Sequence, residues 1–211
     1  MKTISYVCLA IALTFLGACR EEKKLPVLGE KSIDTGTGQY SDYKTPDFNL
    51  TNQFNEKVSS KDFKGKIQIV DFFFTSCPSI CPRMTNHLKS VEEAFLEEDM
   101  VEIISISIDP KHDTPERLLA YSKRHDIKTD RWSLLTGRRD SIFELAKDYK
   151  VRAFDDSLRE EVNLIHDGTF VLVDGEHRIR GYYNGLDQDD VLRLIDDIKI
   201  LLKEYPDEYK S

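Results

Sequence analysis

The chain has 211 residues, of which 40% are hydrophobic, 32% charged and 10% aromatic; this composition is globular and argues against a disordered or fibrous protein. Thirty basic residues stand against thirty-eight acidic ones, a net charge of −8 with the histidines neutral, so no nucleic acid is expected as partner, because phosphate binding needs a basic patch. Four cysteines are too few for a disulfide-built scaffold, and their positions carry the information instead.

At the N-terminus, Lys2 precedes a run without charge from Ile4 to Ala18. The run is short for a spanning helix and right for a signal-peptide core. It ends in Leu16-Gly17-Ala18-Cys19, which resembles the bacterial lipobox and so implies cleavage before Cys19 and lipid on its thiol. An uncleaved anchor helix is the rival reading. Under either, the rest of the chain works outside the cytoplasm, and the expectation is a membrane-anchored lipoprotein on the periplasm side. Cys8 leaves with the signal, so Cys77 and Cys81 remain as free thiols where thiols tend to oxidise. From Arg20 to about Thr45 charged and small residues replace large apolar ones, as in a flexible tether. The expected organisation is a signal peptide over 1–18, a tether over 19–45, a folded domain over 46–205 and a tail over 206–211.

Within the domain, Ile67 to Phe74 is β-branched and aromatic, which predicts a strand buried on both faces. Met84, Leu88, Val91 and Phe95 form one apolar stripe of a helix. Val101 to Ile108 predicts a second buried strand. Thr114 reads as an N-cap with Pro115 at the first helical position, opening a helix to about His125. Trp132 to Leu135 is a short extended piece, and Ile142, Leu145, Ala146 and Tyr149 mark the next helix. Phe170 to Val173 and Ile179 to Tyr183 predict a hairpin around Asp174-Gly175. A last helix buries Val191, Leu194, Ile195, Ile198, Leu201 and Leu202. This order predicts an α/β fold, a thioredoxin-like mixed β-sheet flanked by helices.

The chemistry concentrates at Thr75-Ser76-Cys77-Pro78-Ser79-Ile80-Cys81-Pro82, at the carboxyl end of the central strand, where open α/β sheets place their sites. A residue before proline is pushed out of helical geometry, so the pair is expected on a loop, with Pro82 starting the helix and Cys81 near its cap. Backbone N–H groups and the helix dipole there favour thiolate. Three readings compete. A structural disulfide would close only a five-residue loop, worth about 2 kcal/mol. A redox pair would resemble thioredoxin's site with one more intervening residue. A metal site of two thiolates suits a soft ion such as Cu(I).

His166, in Leu164-Ile165-His166-Asp167-Gly168-Thr169-Phe170, stands at the start of a strand expected beside the Cys-bearing one. Two thiolates and one imidazole make a three-coordinate Cu(I) site or an incomplete Cu(II) site; structural zinc wants a fourth ligand that the sequence does not offer. Copper is therefore favoured. Of the remaining polar residues, Asp113 reads as a helix-entry residue and Asp109 as a group facing the site. His87, His112, His125 and His177 read as solvated.

The chain resembles the Sco/SenC family. The likeness is carried by Phe72 to Pro82 with its Cys-x-x-x-Cys-Pro, by Ser105-Ile106-Ser107-Ile108-Asp109-Pro110, by Asp113-Thr114-Pro115 with Tyr121, and by His166 leading into Asp174-Gly175. Trp132 to Gly137 and Gly181-Tyr182-Tyr183 agree, and the likeness spans roughly residues 46 to 205. It implies a thioredoxin-like domain that binds copper through Cys77, Cys81 and His166. It also implies a role in assembling the dinuclear copper centre of cytochrome c oxidase, by metal delivery or by reducing the receiving cysteines. The expected partners are the copper-bearing oxidase subunit or another extracytoplasmic cuproprotein, and the membrane through lipid on Cys19. The alternative is a thiol-disulfide oxidoreductase that acts on client cysteines with the Cys77/Cys81 pair and cycles through a Cys77–Cys81 disulfide. A peroxiredoxin is disfavoured, because Phe74 and Pro78 stand where its Thr or Ser would precede the reactive cysteine.

Overall fold

A computed structural model describes residues 23–33, 36–128, 130–155 and 164–205, with backbone alone at 154, 155 and 164–166. The stretch expected as a signal peptide, Cys19 and the stretch expected as a tail over 206–211 lie outside the described residues. Two short hairpins open the described chain, β1 (Ser32–Ile33) with β2 (Tyr40–Ser41) and β3 (Asn49–Thr51) with β4 (Lys57–Ser59). Strand β5 (Ile67–Phe73), helix α1 (Cys81–Ala94), β6 (Val101–Ser107), α2 (Pro115–Arg124), β7 (Trp132–Leu135) and α3 (Arg139–Asp148) follow in alternation. A small pair, β8 (Ala153–Asp155) and β9 (Leu164–His166), precedes the hairpin of β10 (Thr169–Val173) and β11 (Ile179–Asn184), and α4 (Gln188–Lys203) closes the fold.

The main sheet has the order β11-β10-β5-β6-β7. Strands β5, β6 and β7 run parallel, whereas β10 is antiparallel to both β5 and β11. Alternation along a strand sends successive side chains to opposite faces. Ile67, Ile69 and Phe73 pack with Met84 and Leu88 of α1, Leu118 of α2, and Leu194 and Ile198 of α4. Val70 and Phe72 face the other way, against Phe63 and against Ile142, Leu145 and Ala146 of α3. A strand covered on both faces reads as a continuous apolar run, which is why β5 was legible. The mixed, helix-flanked sheet agrees with the thioredoxin-like expectation. Thr114 caps α2 as expected, its hydroxyl accepting from the Arg117 N–H at 3.4 Å.

Part of the stretch expected as a tether lies against the domain. Arg180 is 4% exposed, and its guanidinium donates to the carbonyls of Leu25 at 2.7 Å and Pro26 at 3.1 Å. The Leu28 N–H donates to the Ile179 carbonyl at 2.8 Å. A buried cation needs acceptors on every side, and the segment supplies two of them beside Asp174 and Glu204.

Candidate metal centre

Strand β5 ends at Phe73 and delivers the chain into the loop that carries Cys77; Cys81 is the first residue of α1. The helix therefore begins one residue earlier than proline geometry suggests. Ile80 is its cap, and the Arg83 and Met84 N–H groups both reach the Ile80 carbonyl, at 3.1 and 3.0 Å. At the second position of the helix an N–H has no carbonyl four residues back within the helix to reach, so Pro82 loses nothing by lacking one. Both cysteines are free thiols and both are buried.

The two sulfurs differ. Burial alone would raise the Cys77 thiol, but hydrogen bonds from the backbone and side chains of Cys81 and Ser79 outweigh it and hold the group below its ordinary range. Burial pushes Cys81 far above its ordinary value, and the neighbouring charges of Cys77 and Asp71 push the same way. Such a pair consists of a reactive thiolate and a buried thiol that donates to it.

A carboxylate holds the loop in place. Asp113 is fully buried and accepts from the Thr75 N–H at 3.0 Å, the Thr75 hydroxyl at 2.5 Å and the Ser107 hydroxyl at 2.6 Å. It ties the Cys loop to the end of β6 and the start of α2. The reading of Asp113 as a simple helix-entry residue is corrected: its position before the helix is right, but its side chain points inward and accepts from Thr75 and Ser107. The Asp109 carboxylate instead lies 2.9 Å from the His112 Nδ1, so it meets an exposed histidine and not a sulfur.

Beneath the cysteines, Asp71 is buried on β5, and burial, opposed only by the Ser105 hydrogen bond, raises its carboxyl to about 7. The Tyr121 hydroxyl lies 2.7 Å from that of Thr85, and burial raises its pKa well above the ordinary value. Neither residue was singled out as part of a site from the sequence by its chemistry; an acid inside an unbroken apolar strand was the available signal.

His166 ends β9, paired with Ala153, and β10 begins three residues later. Because β10 runs antiparallel to β5, its start lies at the end of the sheet where the Cys loop begins. Two contacts agree: a Cβ on Gly168 would stand 3.8 Å from Met84 Sδ, and the Gly185 N–H donates to the Gly168 carbonyl at 2.8 Å. The His166 side chain is outside the described atoms. His87, read as solvated, is half-buried, with its Nδ1 at 2.8 Å from the Gly185 carbonyl, and His125 packs on Tyr121 at 4.2 Å between ring centroids. Among the described residues no group of three His, Cys, Asp or Glu side chains is gathered as a metal cluster.

The SCO1/SenC family model matches residues 37–203. The chain belongs to the SCO1/SenC family. A SCO1 protein homolog of Bacillus subtilis is 29% identical over 203 residues, covering 94% of this chain and 97% of that protein. A SCO1/SenC family lipoprotein from Bacillus anthracis superposes with a TM-score of 0.70 at 31% identity, over 76% of this chain and 95% of its own. BsSco, a member of the Sco family of cytochrome c oxidase assembly proteins with a disulfide switch, gives 0.67 at 31% identity over 77% and 95%. Copper-bound ScoI of Arabidopsis thaliana gives 0.64 at 26% identity over 76% and 99%. The SCO1/SenC match takes in Cys77, Cys81, Asp113 and the His166 segment, and it begins inside the stretch expected as a tether. No helix among the described residues is long and apolar enough to cross a membrane.

Proposed function

We propose that this SCO1/SenC chain is an extracytoplasmic copper-binding chaperone, held at the membrane by lipid on Cys19. It delivers copper to, or prepares the cysteines of, the dinuclear copper centre of cytochrome c oxidase. The observation that carries the reading is the Cys77/Cys81 pair at the end of β5, with one thiol held below its ordinary pKa and the His166 segment beginning at the same end of the sheet. Two sulfurs on one short loop are a soft donor set, which suits Cu(I), and an imidazole adds a ligand acceptable to either copper state. Copper is cargo here, held by Cys77, Cys81 and His166. Support also comes from the copper-bound ScoI neighbour and from BsSco's place among oxidase assembly proteins. The lipobox and the likeness to a family lipoprotein support the anchor.

The unequal thiols favour a second reading, a thiol-disulfide oxidoreductase in which Cys77 attacks a client disulfide and Cys81 resolves the mixed disulfide. The test is copper titration of the reduced and oxidised chain and of Cys77→Ser, Cys81→Ser and His166→Ala. One copper per reduced chain is expected, lost on oxidation or in either serine variant and strongly weakened in His166→Ala, with Cys77–Cys81 exchange intact in that last variant. A cell that assembles oxidase normally with His166→Ala, despite lost copper affinity, would move the function to thiol reduction.

A further inference from the structure

We propose that the pocket beside the Cys loop, walled by Arg117 and Arg124, docks an acidic segment of the client protein whose cysteines meet Cys77. The inference deepens the proposed function and rests on Cys77 being the group that meets a client.

The pocket measures about 350 Å³ and is lined by Thr75, Arg117, Ala120, Tyr121 and Arg124. Its inner wall is thus two residues from Cys77. The Arg117 Nε donates to the Thr75 hydroxyl at 2.8 Å and lies 3.7 Å from the Asp113 carboxylate, which fixes the guanidinium at the rim. Arg124 is exposed and has no hydrogen bond or ion pair among the described residues. The Arg83 side chain, on the first turn of α1, is likewise exposed without a partner among them. Glu116 is not among the lining residues. On a chain of net charge −8, the unpaired Arg124 in this pocket and the unpaired Arg83 side chain near the Cys loop put positive charge beside the reactive thiol. Guanidinium forks match carboxylates in two-point hydrogen bonds, and such a patch raises the encounter rate of a partner of opposite charge.

The larger cavity offers no unpaired guanidinium, since its Arg178 is paired with Asp174 and Glu176. At about 580 Å³ it lies at the other end of β5, beside Lys64 and Gly65. Its Arg180 is already bonded to Asp174, Glu204 and two backbone carbonyls.

The test uses the reduced full chain and a synthetic peptide of four glutamates, a glycine and one cysteine whose sulfur is joined to thiopyridine. The Cys77 thiolate attacks the peptide sulfur, so the Cys77–peptide S–S bond forms as the peptide–thiopyridine S–S bond breaks. The electron pair leaves on the thiopyridine sulfur, which takes a proton from water and is read as thiopyridone. The same peptide with glutamines is the neutral comparison. The acidic peptide should react about tenfold faster at low salt. The ratio should fall towards one in Arg124→Glu, and also in wild type at roughly 0.5 M salt, where screening shortens the reach of charge. It should persist in Lys147→Glu, an equal charge change on the exposed side of α3 in the opposite layer. Uncharged dithiodipyridine should react equally with all three proteins, which establishes that the thiols are intact. A wild-type ratio of one, or a preference kept in Arg124→Glu, overturns the proposal; so does equal loss in Lys147→Glu, which would mean general charge and not this pocket. Copper does not enter the readout, so failure here leaves the copper reading standing, and a chain that bound no copper would still report on the pocket.

Discussion

Replacing Asp71 by asparagine should make stability far less dependent on pH. The carboxyl is buried on β5, where the Ser105 hydroxyl donates to it at 2.5 Å and the Trp132 Nε1 donates to that hydroxyl at 3.0 Å. Burial, only partly offset by the Ser105 bond, holds its pKa at about 7, whereas an unfolded aspartate releases its proton near 4 (about 3.9). Between those values the native chain keeps a proton that the unfolded chain has lost. Stability therefore falls as pH rises, by about 1.4 kcal/mol per pH unit and about 4 kcal/mol in all by pH 8. Asparagine mimics the neutral acid and keeps an oxygen to accept from Ser105. Asp71→Asn should match wild type at pH 4 and exceed it by about 4 kcal/mol at pH 8. Glu102, raised to about 7 by burial despite Lys66 and Arg131, adds a slope of the same sign that is common to both proteins and cancels in the difference. The assay is urea unfolding of the reduced chain across pH 4 to 8, followed by the fluorescence of Trp132, the single tryptophan and 1% exposed. A stability difference that is the same at both ends of the range would refute the reasoning.

Asp113→Ala leaves the Thr75 N–H and the Ser107 hydroxyl without their acceptor; denaturant titration should show a loss of about 3 kcal/mol, with a smaller loss for Asp113→Asn. Iodoacetamide at pH 7 should alkylate Cys77 well before Cys81, because one thiol is lowered and the other raised; peptide mass mapping at partial reaction checks the order. Gly175→Ala puts a Cβ 2.6 Å from the Gly65 backbone, and thermal unfolding should register about 2 kcal/mol of destabilisation.

Much of the fold could be read from local pattern. The unbroken apolar run of β5 reported burial on both faces, the stripe from Met84 to Phe95 reported a helix, and Thr114-Pro115 marked a helix start that the structure places at Pro115. Each signal depends only on period and on capping chemistry within a few residues. The Cys pair was equally plain, since residue type and spacing survive without coordinates. The short strands β1 to β4, β8 and β9 carried no such period, because two or three residues cannot display one.

What the sequence by itself determined, then, was the order of elements, the thiol pair at the end of the central strand and the family likeness carried by its motifs. Tertiary structure decided which polar groups serve that pair. Asp113 looks like any helix-entry aspartate until the ends of β5 and β6 bring Thr75 and Ser107 to it. Arg180 holds Leu25 only because the chain folds back across 155 positions. The difference between Cys77 and Cys81 is likewise one of burial and of hydrogen bonds donated at a helix start. These are through-space quantities, and residue order carries them only after the sheet has set the distances.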